Sequence, residues 1–246
     1  MQEFGIIGKT LAHSFSKKYF EEKFKQENIS DCIFNEYSLN NIEEITELIK
    51  NKPNLKGFSV TIPYKEAIIS YLDDMDDIVK EIGACNSVKV DNGKLIGYNT
   101  DVTGFLESFM SMYEVQYFNA IILGNGGASK AVKYALEQLS IDSLIVARNP
   151  KNNDEISWNN LTPEHFKEAN IVINTTPLGT FPNINEYPDI PYSEFSEHFL
   201  AFDLIYNPEE TIFLKNAREQ RSKTINGYYM LEIQAEKSWE IWNHNI

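Results

Sequence analysis

Short apolar runs alternate with amphipathic segments from the first residues onward: FGIIG precedes KKYFEEKFKQENI, CIFNEY precedes NIEEITELIK, and GFSVTI precedes YKEAIISYL. The runs read as buried strands and the amphipathic segments as helices, the alternation that builds βα repeats and a largely parallel sheet. The stretch CNSVKVDNGKLIGYN breaks this rhythm, because Asp91-Asn92-Gly93 between two alternating runs signals a hairpin. After a helical stretch, DVTGFLESFMSMY, the rhythm restarts with NAIIL, SLIVA, NIVIN, FLAFDLIY and KTIN, which fit a second α/β sheet. The final run, GYYMLEIQAEKSWEIW, spaces Met230, Leu231, Ile233, Ala235, Trp239 and Trp242 as on one long helix. The pattern therefore predicts two α/β units, the second starting within the helix that follows Asp101.

Composition narrows the function classes. A chain of 246 residues with 42% apolar content can bury roughly 70–75% of its unfolded surface. Its 22 Lys and Arg stand against 36 Asp and Glu, a net charge of −14, which argues against nucleic acid, since a phosphate backbone is met by clustered basic residues. The central apolar run Ala120–Leu123 is far short of the ~20 residues needed to span a bilayer. The start, MQEFGIIGKT, has no basic leader before a long apolar core, so a cytoplasmic protein with no membrane partner is expected. Cys32 and Cys85 are far apart in apolar surroundings and read as buried small hydrophobes. His13, His165, His198 and His244 are scattered without metal-ligand spacing, so no metal is expected.

Candidate chemistry begins with GNGGAS, residues 124–129, which follows the strand NAIIL and opens the helix ASKAVKYALEQL. Glycines there let the backbone turn tightly and approach a pyrophosphate, whose charge the helix N-terminus stabilises. Ser129 replaces the third glycine of the usual fingerprint; the order strand, glycine turn, helix favours a dinucleotide site over a plain βα turn. The next strand ends in Arg148 and Asn149 with Lys151 close behind, where an NAD enzyme would place an acid for the ribose hydroxyls. A guanidinium pairs with a 2′-phosphate, so NADP(H) is the expected cofactor, a surface arginine being the plainer alternative.

Polar residues also gather where the first unit's strands end. Ser14 and Ser16 follow the first strand, with Ser16 the better placed to cap the helix after it. Asn86 and the pair Thr100-Asp101 lie at the two ends of the hairpin, and Asp101 could equally cap its own helix. Ligands of open α/β sheets bind outside the carboxyl ends of strands, where these residues belong.

HSFS, GFSVTIPYK, GACNSV, GYNTD, GNGGAS, INTTPLG, DLIYNPEET and GYYMLEIQA occur, from Ser14 to Gln234, in an order and spacing that resembles the shikimate dehydrogenase family. The resemblance implies two α/β domains with a cleft between them: a substrate-binding domain, 1–101 completed by the C-terminal helix 228–246, and a Rossmann-like NADP-binding domain, 102–227. It implies NADPH-dependent reduction of 3-dehydroshikimate to shikimate by a monomer or homodimer. Lys65 and Asp101 would be the catalytic pair, Asp101 orienting the lysine and favouring its ammonium form. Ser14 and Ser16 would hold the substrate carboxylate, and Ser59, Thr61, Asn86, Thr100, Asp101, Tyr206 and Gln234 would meet the ring hydroxyls or line the pocket. Gly124, Asn125, Gly126, Gly127, Ala128, Arg148 and Asn149 would contact the cofactor's phosphates and ribose. Thr175, Leu204, Gly227 and Met230 would line its adenosine or nicotinamide side.

The chain departs from the family pattern at Ser59, where asparagine is usual, at Lys17, where proline is usual, and at Thr180, where methionine is usual. The usual Asn-Arg-Thr cofactor motif is reduced to Ala147-Arg148-Asn149. A quinate-active member of the family and a catalytically silent dinucleotide-binding paralogue remain alternatives. The second need not keep both Lys65 and Asp101.

Overall fold

The structure is a computed structural model that describes residues 1–11, 14–114 and 116–243. His13 of the HSFS motif and His244 lie outside the described residues. The chain divides into two compact units, Met1–Thr100 joined by the segment from Ala235 onward, and Asp101–Gln234.

The first unit contains β1 (Gln2–Gly8), α1 (Phe15–Gln26), β2 (Cys32–Ser38), α2 (Ile45–Asn51), β3 (Leu55–Val60), β4 (Asp74–Met75), α3 (Asp77–Ile82), β5 (Ser87–Asp91) and β6 (Lys94–Tyr98). Its sheet runs β2-β1-β3-β5-β6-β4. β1 is parallel to β2 and β3, while β5 is antiparallel to β3 and β6. The apolar run of β1 is buried on both faces, as an inner strand of a parallel array must be. Phe4 and Ile6 join Phe20, Phe34 and Trp242 in one core, and Ile7 joins Ile45, Phe58 and Val60 in the other. The hairpin forms as the sequence predicts: Asn92 and Gly93 both take positive φ, 51° and 82°, and close the Asp91–Lys94 pair in the two-residue turn that right-twisted strands favour.

Three local expectations are corrected. Helix α1 starts at Phe15, so Ser14, not Ser16, occupies the capping position, and Ser16 is buried within the first turn. The segment YKEAIISYL forms a 3-10 turn over Ala67–Tyr71 in place of an α-helix, with Ile68 its one fully buried side chain. One buried anchor is too little to hold an amphipathic helix against the sheet. Cys85 is buried, but Cys32 is only half-buried, and burial followed by the neighbouring Asp31 carboxylate pushes its thiol up to about 11.

The second unit contains α4 (Asp101–Met110), β7 (Ala120–Leu123), α5 (Gly127–Gln138), β8 (Ser143–Ala147), β9 (Glu155–Ser157), α6 (His165–Glu168), β10 (Ile171–Asn174), β11 (Leu200–Asp203), α7 (Ile212–Glu219), β12 (Lys223–Ile225) and the start of α8 (Tyr228–Asn243). The sheet order is β12-β11-β10-β7-β8-β9 and every pairing is parallel. Numbered within the unit this is 3-2-1-4-5-6, the Rossmann order, whose direction reverses between β7 and β10. Ile121, Leu123, Val172 and Ala201 pack with Phe166, Phe199 and Phe213 in one of its cores. The run FLAFDLIY stops being strand at Asp203, because the Asp203 carboxylate accepts the backbone N–H of Ile205 at 3.0 Å and turns the chain. Strand β9 is not singled out by the hydrophobic pattern. Only residues 148–154 connect it to its parallel neighbour β8, where a parallel crossover ordinarily takes a dozen residues or more. Among the described residues no helix is long and apolar enough to cross a membrane.

Candidate active site

In the first unit the expected substrate residues collect at the carboxyl ends of β1 and β3. Ser14 donates its backbone N–H to Leu11 O at 2.7 Å. Its hydroxyl makes no capping bond, is buried, and finds no hydrogen-bond partner among the described residues. Such a hydroxyl fits an acceptor that arrives with a ligand, because an unpartnered buried donor costs stability. Thr61 extends past β3, its N–H bonded to Ile7 O at 2.9 Å, and its methyl lies against Gly8 at the end of β1. Ser59, also buried, faces Ser87 across the β3–β5 pairing. The Lys65 carbonyl accepts from Cys85 N at 2.8 Å, which fixes that backbone beside Asn86.

Asn86 and Thr100 clasp each other. The Asn86 amide donates to Thr100 Oγ1 at 2.9 Å, and Thr100 N donates back to Asn86 Oδ1 at 2.7 Å. Ser238 of α8 shares the Thr100 hydroxyl at 3.1 Å, and Asn99 Nδ2 holds Ala84 O at 2.8 Å. All four polar side chains are buried, so these bonds fix the end of the hairpin and the chain that enters Asp101. Asp101 is itself buried and is the first helical residue of α4, one step inside the capping position.

In the second unit the glycine turn opens α5. Gly124 takes φ +108° against Thr175, whose hydroxyl donates to Leu123 O at 2.7 Å. Gly126 caps α5 without a side chain, and a Cβ placed there would meet nothing within 4 Å. Ser129 is turned back onto Gly126 O at 2.6 Å, which explains why serine serves where a third glycine is usual. The first N–H groups of α5, through Gly127 and Ala128, therefore stand at a helix N-terminus with no side-chain cap bond among the described residues, and a pyrophosphate fits there. Arg148 and Asn149 are exposed just past β8. Asn125 ties this loop to the glycine turn, its amide donating to Asn149 O at 3.2 Å and to Glu155 Oε2 at 3.0 Å.

The remaining cofactor positions depend on two polar residues that stand inside INTTPLG and DLIYNPEET but are not among the expected site residues. Asn174 and Asp203, both fully buried, end the adjacent apolar strands β10 and β11. Asn174 Nδ2 donates to Asp203 Oδ1 at 3.0 Å, Ile205 N donates to the same oxygen at 3.0 Å, and Thr211 Oγ1 donates to Asp203 Oδ2 at 2.5 Å. Leu204 N bonds Asn174 O at 3.0 Å and Gly227 N bonds Ile205 O at 3.0 Å. The network thus locks Thr175, Leu204 and Gly227, each one or two bonds away. Burial, opposed by the Thr211, Ile205 and Asn174 donors, pushes the Asp203 carboxyl up to about 7. A polar residue closing an otherwise apolar strand is the signal that could have found both. Tyr206 is half-buried just beyond, and Met230 and Gln234 lie on α8. Gly104, one turn into α4 from Asp101, packs on the Met230 carbonyl and Gln234, bringing those two elements together.

The sequence profile of the shikimate dehydrogenase substrate binding domain matches residues 6–88. The NADP(+) shikimate dehydrogenase of Clostridium botulinum is 38% identical over 97% of this chain and 95% of its own. The crystal structure of shikimate dehydrogenase 1 from Peptoclostridium difficile superposes with a TM-score of 0.85 at 35% identity, covering 100% of this chain and 93% of the other. The Thermus thermophilus enzyme in complex with NADP(H) and shikimate gives a TM-score of 0.87 at 27% identity, covering 99% and 94%.

Proposed function

The chain belongs to the shikimate dehydrogenase family, and from that premise we propose that it reduces 3-dehydroshikimate to shikimate with NADPH, reversibly. The observation that carries this reading is the whole-length match to an NADP(+) shikimate dehydrogenase. We read 1–101 with 228–246 as the substrate-binding part and 102–227 as the cofactor-binding part of a cytoplasmic monomer or homodimer.

When bound, the nicotinamide supplies a hydride to the ketone carbon. Negative charge then develops on the carbonyl oxygen, and a proton must reach it. Lys65 is assigned that work, since an ammonium both stabilises an oxyanion and donates a proton. Asp101, which follows the clasped Thr100 in the chain, is the second catalytic group. The Ser14 hydroxyl, which has no hydrogen-bond partner among the described residues, suits the substrate carboxylate together with Ser16. Ser59, Thr61, Asn86, Thr100, Tyr206 and Gln234 are the groups for the ring hydroxyls. A site built from such donors and acceptors rejects analogues that lack the hydroxyls, because its own polar atoms would be left unpaired. The start of α5 suits the pyrophosphate, Arg148 the 2′-phosphate with Asn149 beside it, and Thr175, Leu204, Gly227 and Met230 the rest of the dinucleotide.

The test is to follow NADPH absorbance with purified protein and 3-dehydroshikimate, with quinate as a comparison substrate in the reverse direction. Substrate-dependent oxidation is expected. No oxidation above background would overturn the reading.

A further inference from the structure

We infer that Glu155, a residue outside every motif of the family match, is a positioning residue that sets the preference for NADPH over NADH by holding the loop that carries Arg148. The inference rests on the reading of Arg148 as the 2′-phosphate ligand.

The short β8–β9 connection needs something to hold it, and Glu155 at the first position of β9 does so. One carboxylate oxygen, Oε2, accepts the Lys151 backbone N–H at 2.9 Å and the Asn125 amide at 3.0 Å, while Oε1 accepts the Asn152 amide at 2.9 Å. Asn125 belongs to the glycine turn and bonds Asn149 O as well. A single side chain therefore links the turn that suits the pyrophosphate to the loop that carries Arg148 and Asn149. The next residue back, Asp154, anchors the other side of the loop through a 2.5 Å ion pair to Lys133 of α5.

An acidic residue so close to the expected place of a phosphate has two opposite readings. As an unmasked charge it would repel the 2′-phosphate and favour NADH. In this structure it is engaged by three donors. Burial raises its proton affinity, yet the Lys151 N–H and the Asn125 and Asn152 amides together hold the carboxyl below its ordinary range. Three charge-assisted bonds fix the loop, with both carboxylate oxygens occupied by those donors. The carboxylate thus acts through the backbone it fixes, and removing it lets Arg148 drift from the phosphate. NADH has no 2′-phosphate to lose, so the penalty falls on NADPH.

The experiment measures kcat and KM with NADPH and with NADH for the parent, Glu155→Ala, Glu155→Gln and Arg148→Ala. For Glu155→Ala the ratio of NADPH to NADH kcat/KM is expected to fall roughly tenfold, mostly through the NADPH KM, with kcat at saturation nearly unchanged. Glu155→Gln, which keeps one acceptor oxygen, should fall between it and the parent. A ratio that stays constant or rises in Glu155→Ala would overturn the inference, a rise showing that the carboxylate acts by repulsion. Circular dichroism and thermal unfolding check each variant, and if Glu155→Ala fails to fold, Glu155→Gln alone decides on the same ratio. Arg148→Ala keeps the two readings apart, since an unchanged ratio there refutes the 2′-phosphate assignment whatever Glu155 does.

Discussion

In the N-terminal sheet the strand ends carry hydroxyl, amide and ammonium side chains, whereas in the Rossmann sheet the turn after β7 is glycine and backbone, and Arg148 and Asn149 past β8 are the exposed side chains. The second sheet does have polar strand ends, Asn174 and Asp203, but these are fully buried and bond one another and Thr211. The difference follows the two ligands expected. A polyhydroxylated ring is read by many short side chains, each matched to one hydroxyl. A pyrophosphate is read by main-chain N–H groups at a helix start, which side-chain truncation cannot remove, and Arg148 is left as the side chain for the ribose end. Side-chain truncation should therefore act directly on chemistry in the first unit. In the second unit, Arg148 apart, substitutions should act through where the backbone is held.

The largest expected effect lies in the first unit. Lys65→Met removes the proton donor and should lower kcat by roughly a thousandfold, a range typical of general acids, while the substrate KM shifts only modestly. Steady-state kinetics at saturating NADPH measure both. Near-normal turnover would remove the lysine from the mechanism, and with it the contrast between side-chain and backbone action.

The second unit answers with stability. Asp203→Ala strips three buried donors of their acceptor and should cost about 3–5 kcal/mol by urea unfolding. Asp203→Asn keeps an acceptor for Asn174 and Ile205 and an amide for Thr211, so its cost should be much smaller. The two also differ in pH dependence. An unfolded aspartate titrates near ~4, and the folded carboxyl is raised to about 7, so across that interval the native state keeps a proton that the unfolded state has released. The group's contribution is full below ~4 and is lost as pH rises through about 7. Tyr192, which feels the Asp203 charge, is itself pushed by burial to far higher pH and does not titrate in this window. Urea midpoints at several pH values between 4.5 and 7.5 should show a downward slope in the parent that Asp203→Asn lacks. The same slope in both would assign it elsewhere.

What the sequence made legible was what repeats or punctuates. The apolar runs that became β7, β8, β10 and β11, the Asn-Gly hairpin turn and the long helix α8 are all periodic or marked by turn residues. The glycine turn and the polar strand ends of the first unit were legible as well, because few residue types suit those places. What escaped detection depended on contacts between segments and not on a pattern within one. Strand β9, Glu155–Ser157, is too short to show alternation and exists because β8 offers it an edge. Asp203 sits inside a run that reads as continuous strand, and only its bonds to Asn174 and Thr211 reveal that the strand ends there. The cap of α1 fell on Ser14 because the helix begins two residues earlier than the charged stretch suggests.

The smallest expected effects give the finest test of the contrast, because one substitution at two glycines separates held backbone from open backbone. A methyl on Gly227 would overlap the Leu204 carbonyl, so the loop that begins α8 would have to move. Gly227→Ala should lower the unfolding temperature by several degrees and raise the NADPH KM about tenfold. A methyl on Gly126 meets no protein atom within 4 Å, and the residue's φ of −86° is open to alanine. Gly126→Ala should thus leave the unfolding temperature within about a degree of the parent, since nothing must give way in the protein and alanine costs less chain entropy. Its one expected defect is a severalfold weaker NADPH, measured by fluorescence titration, because the methyl occupies the approach to the α5 N-terminus. A stable Gly126→Ala that binds NADPH as tightly as the parent would mean that the dinucleotide does not approach this backbone.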